Sequence, residues 1–495
     1  MPPIIAILLA LLTKEVYLSL FAGCALGALL VAEFHPWVAF DTLFNTMIDS
    51  VDFSILMFMI LLGMVVMLMQ ESGGTRAYGE WAAKKLKSKR ATLVATSLLG
   101  ALIFVDDYFN CLTVGSVMRP VTDKYKVSRA KLAYIIDATA APVCIIAPIS
   151  SWAAAVNSYV PADAGISGFQ LFLRTIPYNL YAFLTIAMVF YICYTGFDFG
   201  QMKLHEDNAA KGDLFTTGGE EFEQVSEQEV NPNGKVIDLV LPVAVLIVSA
   251  IGAMVYTGFL GGADNVISAF AGCDAETSLI FASVVTILFM MALYLPRKVI
   301  TFKSFMDSLS EGFKLMVPAV TILVFAWTLK GVGDAMGLAQ FVGSVVGDHA
   351  SASIFIPVVL FAVAVFLSFS TGTSWGTFAI LVPIATGMFA AGTNLEMMII
   401  SVSAVLAGAV CGDHISPISD TTVMSSAGAQ SNHLNHVSTQ MQYAAVTACV
   451  CLVGYLIAAV TRTWWITLGV SLFLLLAVLT GMRRFCAKKA ENGKK

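Results

Sequence analysis

Long apolar runs follow one another along the chain and are separated by short polar stretches. Most runs are about 20 residues long, which is the length that an α-helix needs to cross the hydrocarbon core of a bilayer. In the first half, the runs predict spans at about 15–33, 52–70, 132–158 and 175–195. In the second half, they predict spans at about 237–257, 277–295, 314–330, 398–428, 442–460 and 464–481. The pattern therefore predicts an all-α polytopic membrane protein.

Two further apolar segments are polar at their centres, and we predict that they fold as re-entrant hairpins. The segment at about 92–118 contains Asp106 and Asp107 near its middle, and the segment at about 352–390 contains the polar run 368–377. Irregular backbone is tolerated at membrane depth only where protein or water covers it. We therefore expect other helices to enclose both hairpins.

Basic residues predict the orientation of these segments, because Lys and Arg accumulate on the cytoplasmic side of a membrane. Basic stretches at 71–91 and 119–131 flank the first hairpin on both sides, so we expect it to enter from the cytoplasm. No Lys or Arg closely flanks the second hairpin, which predicts that it enters from outside. The basic tail after residue 482 indicates a cytoplasmic C-terminus, and the number of spans predicts a cytoplasmic N-terminus as well. The membrane is predicted to be the cytoplasmic (inner) membrane.

Composition agrees with a membrane protein and divides the chain in two. Of 495 residues, 58% are hydrophobic and 12% are charged, which is more apolar surface than a soluble domain of this size can bury. An acidic segment at 196–236 separates a first repeat (1–195) from a second repeat (237–495). Its composition is typical of a solvated linker, which we place in the cytoplasm.

The two halves share one order of elements. Both contain, in this order, two spans, a hairpin, a span interrupted by a proline (Pro148 or Pro417) and a further span, and the second half has two spans more. Because the hairpins are predicted to open to opposite sides, the halves read as inverted-topology repeats, each with a re-entrant hairpin and a broken transmembrane helix. This arrangement is typical of secondary transporters, which bind their cargo between the repeats near the middle of the membrane.

Acidic side chains in predicted membrane segments are candidates for proton or ion coupling. A buried charge is costly in a membrane, so such residues are usually functional. A carboxylate can bind either a proton or Na⁺, and competition for one site is sufficient for exchange of the two. The coupling candidates are Asp106, Asp107, Asp413 and Asp420.

Four further titratable residues have more than one interpretation. Asp137 is predicted near the cytoplasmic end of its span, where it either extends to the interface or is paired. His414 is a proton relay or a hydrogen-bonded neighbour of Asp413. His433 and His436 are predicted to lie in an exposed loop beyond the span.

Polar side chains beside the hairpin tips and the breaks are candidate ligands for Na⁺ or substrate. Broken helices expose backbone carbonyls that suit Na⁺ and amide groups that suit anions. The candidates are Asn110, Ser150, Ser151, Ser370, Thr371, Thr373, Ser374, Ser416, Ser419, Thr421 and Thr422.

The chain resembles the NhaC family of sodium/proton antiporters, part of a larger ion-transporter superfamily, at Cys411-Gly-Asp-His-Ile-Ser-Pro-Ile-Ser-Asp-Thr-Thr-Val-Met-Ser-Ser426. The stretches Phe104-Val-Asp-Asp-Tyr-Phe-Asn110 and Ala147-Pro-Ile-Ser-Ser151 look like the matching motifs of the first half. The resemblance implies a homodimer with two hairpins and two broken helices around a Na⁺-dependent site. It also implies a transporter and not an enzyme, with Na⁺ and H⁺ as transported ions, no cofactor and no nucleic-acid partner.

The sequence leaves two alternatives open for the transported substrate. The leading hypothesis is Na⁺/H⁺ exchange by alternating access, and the alternative is a Na⁺-coupled symporter or exchanger of an amino acid or organic acid. An intramembrane aspartyl protease is disfavoured because Cys411-Gly-Asp413 departs from the usual glycine-flanked motif. A channel would need no competition between proton and cation, since its flux follows only the gradient of its own cargo.

Overall fold

The structure is a computed structural model that describes residues 16–104, 106–160, 166–216, 231–266, 273–337, 354–389, 394–417 and 419–492, with isolated positions 5, 6, 9, 13 and 269. Within these residues every regular element is a helix, as the sequence predicts. The first half contains α1 (Val16–Val31), α2 (Pro36–Ser50), α3 (Phe53–Glu71), α4 (Gly74–Lys85), α5 (Lys89–Leu102), α6 (Asp107–Lys124), α7 (Arg129–Thr139), α8 (Ala141–Cys144), α9 (Ser151–Tyr159), α10 (Gly168–Thr175), α11 (Leu180–Thr195) and α12 (Gly200–Lys211). The second half contains α13 (Ile237–Leu260), α14 (Ala275–Tyr294), α15 (Phe302–Ala335), α16 (Ile356–Thr371), α17 (Ser374–Gly387), α18 (Leu395–Ile415), α19 (Asp420–Ala429), α20 (His433–Thr461) and α21 (Trp464–Asn492).

Seven apolar helices in the described part of the chain are long enough to cross a membrane. They are Phe53–Glu71, Leu180–Lys211, Ile237–Leu260, Glu276–Tyr294, Leu395–Ile415, His433–Thr461 and Trp464–Ala487. α15 is an eighth if its two parts, which meet at an angle of 43°, count as one span. The chain is therefore a multi-pass membrane protein, and each of these helices overlaps a span that the sequence predicts.

Each segment that is predicted to be a hairpin contains two helices, and its re-entrant course in the membrane stays a prediction. In the first hairpin α5 ends at Leu102 and α6 begins at Asp107, and in the second α16 and α17 are joined by Gly372 and Thr373. Gly372 has a φ of +69°, a left-handed conformation that glycine adopts without a steric penalty. Gly372 ends α16, and α17 begins two residues later at Ser374.

Both predicted breaks are present at their prolines. The first span runs from α7 through the single turn α8 to a non-helical stretch around Pro148, and then continues as α9. The second span stops after α18 and restarts as α19, with Pro417 in between. Ser150 and Ser419 are the N-caps of the restarted helices, because their hydroxyls accept from backbone N–H groups three residues later at 3.2 and 3.3 Å.

The helices pack in two groups, and the order of elements repeats between the halves. α1–α3 pack with α13–α15, whereas α5–α12 pack mainly with α16–α21. Each half supplies three helices of the first group and then a hairpin and a broken span to the second. The opposite orientation of the two halves in the membrane stays a prediction.

One segment differs from its sequence prediction. The acidic segment 196–236 begins with a helix, α12, whose Met202, His205 and Glu206 are buried. Glu206 accepts from the backbone N–H of Ser128 at 2.8 Å and forms an ion pair with Lys89 at 2.8 Å. Composition predicts a solvated segment because the acidic residues dominate the count, but α12 has partners at the N-terminal ends of α5 and α7. Residues 217–230 of the segment lie outside the described residues.

Candidate functional site

The hairpin tips and the broken spans pack against one another. α19 contacts α6 and α7, and α9 contacts α17, so elements from both halves meet at the centre of the second helix group. Four of the acidic candidates lie here, namely Asp106, Asp107, Asp137 and Asp413, and each is at most 2% exposed. Carboxylates this deeply buried need hydrogen bonds or cations around them, so their neighbours define the candidate site.

Asp413 lies at the end of α18, where three segments supply oxygen atoms. Its Oδ2 accepts from the hydroxyl of Ser374 at the start of α17 (3.1 Å) and from that of Thr421 at the start of α19 (3.3 Å). Gly412 permits this position, because a Cβ there would collide with the carbonyl oxygen of Val365 on α16. Close packing of α18 on α16 thus places the carboxylate directly at the tip of the second hairpin.

Asp106 has a similar partner in the first half. The hydroxyl of Ser151, the first residue of α9, donates to Asp106 Oδ2 at 3.4 Å. In both pairs the carboxylate faces the N-terminus of a helix, where the partial positive charge of the helix favours an anion. The residues that follow the serines, Trp152 and Trp375, are in edge-to-face contact with ring centroids 5.8 Å apart. The two serine–aspartate pairs are therefore neighbours across the centre of the protein.

Asp137 has polar neighbours from several helices. Its Oδ2 accepts from the hydroxyl of Thr422 at 3.1 Å and from Nε2 of Gln440 at 2.6 Å. Nε2 of His436 lies 3.4 Å from the same oxygen, and Nε2 of His414 lies 3.9 Å from Oδ1. Residues from α7, α18, α19 and α20 thus meet at one carboxylate, which is paired and does not extend to the membrane interface.

Several other candidate residues stabilise the local backbone. The hydroxyls of Ser370 and Thr371 donate to carbonyls of their own helix at 2.9 Å. Ser416 donates to the carbonyl of Phe369 at 2.7 Å and so ties the break to the hairpin. Asn110 donates to three carbonyls, those of Gly100, Ile103 and Thr139, at 2.7, 2.9 and 3.2 Å. Ser150 and Ser419 are the caps described above, Thr373 is buried at the second tip, and the side chain of Asp420 lies outside the described residues.

A comparison with known proteins identifies the family. Residues 153–460, more than half of the chain, match the Na⁺/H⁺ antiporter family. The chain belongs to that family. It is therefore a membrane transport protein, and the resemblance noted in the sequence motifs is confirmed.

Individual relatives agree with the family assignment. An uncharacterized protein of Haemophilus influenzae is 37% identical over 486 residues, which cover 93% of this chain and 90% of the relative. The malate-2H⁺/Na⁺-lactate antiporter of Bacillus subtilis is 32% identical over 30% of this chain and 31% of its own length. An uncharacterized Na⁺/H⁺ antiporter of H. influenzae is 32% identical over 27% of this chain and 28% of its own.

His436 and Gln440 of this antiporter-family chain were not among the residues predicted from sequence. The prediction of an exposed loop at His436 was wrong, because α20 begins at His433 and buries His436 completely. His436 and Gln440 are four residues apart and so share one face of α20. Two polar residues at helical spacing, directly before an apolar span, are the signal in the sequence that could have identified His436 and Gln440 as site residues.

Asp106 and Asp107 give a prediction for the first hairpin. We expect the combined change Asp106→Asn and Asp107→Asn to abolish transport in this antiporter-family protein while it remains folded, since amide oxygens can still accept hydrogen bonds but carry no charge for a cation. Transport is measured in proteoliposomes and folding by gel filtration in detergent. A well-folded variant with wild-type transport would exclude a role for these carboxylates in ion coupling.

Proposed function

We propose that the protein exchanges Na⁺ for H⁺ across the cytoplasmic membrane by alternating access, with both termini in the cytoplasm. The observation that carries this proposal is the buried oxygen cluster of Asp413, Ser374 and Thr421 at the junction of a hairpin and a broken span. Membership of the Na⁺/H⁺ antiporter family supports it. The homodimer implied by the resemblance stays a prediction.

Asp413, Ser374 and Thr421 are the Na⁺ ligands in this proposal. Hard cations bind carboxylate, hydroxyl and carbonyl oxygens. A hydroxyl that now donates to the carboxylate can rotate its hydrogen away and offer a lone pair to a cation instead. The ionised carboxylate supplies the charge that offsets dehydration of Na⁺, and the two hydroxyls complete one side of the coordination. Thr422 is not assigned as a ligand, because its hydroxyl contacts the carboxylate of Asp137 and not that of Asp413.

In this proposal, alternating access depends on the fact that the Na⁺ ligands belong to different structural elements. Ser374 belongs to the tip of the second hairpin, whereas Asp413 and Thr421 flank the break between α18 and α19. Movement of the hairpin away from the break would remove one ligand and expose the other two to water. The state with all three in contact is then the occluded one, from which Na⁺ can leave to either side.

A Na⁺-coupled symporter or exchanger of a small organic acid is the second candidate. The partial similarity to a malate-2H⁺/Na⁺-lactate antiporter favours it. Such a cargo would need room beside the Na⁺ site for a carboxylate and its carbon chain. Competition between proton and Na⁺ would be retained, but net movement of either ion would require the organic solute.

Proteoliposomes with a trapped pH dye distinguish these functions. Na⁺ added outside should drive protons out of vesicles that contain the protein, without any organic solute present, and a gradient of Na⁺ alone should be sufficient. Liposomes without protein are the control for passive leakage. A dye signal that appears only after an amino or organic acid is supplied would favour the second candidate, and no signal under either condition would contradict both.

A further inference from the structure

A second group of titratable side chains lies beside the Na⁺ site that we propose. It comprises Asp137, His414 and His436, all of which are at most 1% exposed. Tyr181 on α11 approaches Nδ1 of His414 to 3.2 Å. Imidazole groups are poor ligands for Na⁺, which prefers oxygen, but they take up and release protons near neutral pH. The chemistry of this group therefore suits a proton and not a sodium ion.

Hydrogen-bonding capacity around Asp137 is incomplete. Thr422 and Gln440 both donate to Oδ2, whereas Oδ1 has no hydrogen-bond partner among the described residues. Neither ring nitrogen of His436 has a partner that meets hydrogen-bond geometry among the described residues. Its Nε2 nevertheless lies only 3.4 Å from Asp137 Oδ2. As long as neither imidazole carries an added proton, the buried carboxylate has a negative charge without a cation beside it. One added proton would convert the pair into a neutral imidazolium–carboxylate pair.

We propose that Asp137 and His436 form a proton-binding site that is separate from the Na⁺ ligands at Asp413. This inference rests on the proposed exchange function and divides it between two sites. The proton adds to the imidazole, so that both ring nitrogens carry hydrogen and Nε2–H is directed at Asp137 Oδ2. When Na⁺ binds, the same proton leaves His436 for water, and the overall charge of the two sites returns to its starting value.

Thr422 and the end of α18 connect the two sites. The Thr422 hydroxyl donates to Asp137 and also lies 3.4 Å from the backbone carbonyl oxygen of Asp413. Gln440 donates to Asp137 and to the carbonyl of His414, each at 2.6 Å. A cation at Asp413 therefore acts over a short distance on a proton that His436 holds beside Asp137, in a region of low dielectric where like charges repel strongly. That repulsion favours proton release.

Other titratable and polar groups around the pair come from four elements. α18 contributes Asp413 and His414, and α6 contributes the thiol of Cys111, which the charge of Asp137 affects. α19 contributes Thr422, and α20 contributes Gln440. His414 directly follows Asp413, so we do not assign it the proton. His436 belongs to α20, a helix that carries none of the three Na⁺ ligands of the proposal.

Binding of radioactive Na⁺ to purified protein as a function of pH tests the separate site. In the wild type, competition by one proton should raise the half-saturating Na⁺ concentration by up to about tenfold for each unit of pH decrease. His436→Gln should keep the affinity seen at high pH but lose most of this pH dependence. In proteoliposomes, the variant should retain Na⁺/Na⁺ exchange and lose Na⁺-driven proton movement. His205→Gln, a buried histidine of α12, is the matched control and should behave as wild type.

The outcomes separate the inference from the proposed function. If the wild type binds no Na⁺, or binds it independently of pH, the proposed exchange function fails and the inference fails with it. If the wild type shows pH dependence and His436→Gln shows the same slope, only the separate proton site is contradicted. Should His436→Gln not fold, Asp137→Asn carries the same test, because its side-chain oxygen can still accept from Thr422 and Gln440. A wild-type slope in that variant would also overturn the inference.

Discussion

Asp413→Asn is expected to lower Na⁺-driven proton movement at least about a hundredfold while the protein still folds. Removal of one partner from a buried charge interaction costs about 3–5 kcal/mol, and 1.4 kcal/mol corresponds to a factor of ten in affinity. The asparagine oxygen can still accept from Ser374 and Thr421, so the hairpin should remain docked on the break. The amide has no charge to offset dehydration of Na⁺, and its NH₂ group repels the cation.

Flux in proteoliposomes and Na⁺ binding in detergent measure this effect. Ser374→Ala should weaken Na⁺ binding by about tenfold, since it removes one neutral oxygen and leaves the charge in place. Asp274→Asn is the matched control, because Asp274 caps α14 through its Oδ1 and asparagine caps equally well. Gel filtration confirms that each variant is folded. Na⁺ affinity in Asp413→Asn within a factor of two of wild type would exclude Asp413 as a ligand.

Most of the fold could be predicted from the sequence because membrane burial imposes a simple rule. Each span must be apolar over about 20 residues, and polar interruptions stand out against that background. Asp106 and Asp107 in one segment, and the polar run around Gly372 in the other, mark the points where one helix ends and the next begins. The breaks were found from Pro148 and Pro417, since proline cannot donate within a helix.

Contacts between distant segments could not be predicted in the same way. Asp137 and Gln440 are hydrogen-bonded across 303 positions, and Thr422 and Asp137 across 285. Hydropathy and charge give the length and orientation of a helix, but they do not give the neighbour on each of its faces. Asp137 was therefore left with two interpretations, and the structure shows it to be paired.

His436 illustrates a different difficulty. The stretch before residue 442 is polar, so a rule based on apolar length begins the span too late and assigns His436 to a loop. In the structure that stretch is the first two turns of α20, and its His436, Thr439 and Gln440 are buried. A polar stretch beside a predicted span, with its polar residues at helical spacing, therefore does not distinguish an exposed loop from a helix that carries a buried polar site.

A second cluster of buried charges holds the first broken span in place. Nζ of Lys131 on α7 lies 2.7 Å from Asp198 and 3.6 Å from Glu206, and Tyr443 on α20 donates to Asp198 at 2.8 Å. The Lys131 side chain is 1% exposed. The cluster borders a cavity of about 670 Å³. Lys131 is two turns before Asp137, so its ion pairs fix the helix that carries the candidate proton site.

Lys131→Met is expected to lower the free energy of unfolding by about 3–5 kcal/mol, because it leaves the buried Asp198 without its cation. The apparent melting temperature in detergent measures the loss. Adding Asp198→Asn to Lys131→Met should restore most of the stability, since Glu206 then keeps its pair with Lys89 and no buried charge is left alone. Lys203→Met is the control: its pair with Asp207 at 2.9 Å is more than half exposed and contributes little. Equal losses in Lys131→Met and the double variant would show that lost packing, and not the isolated charge, causes the instability.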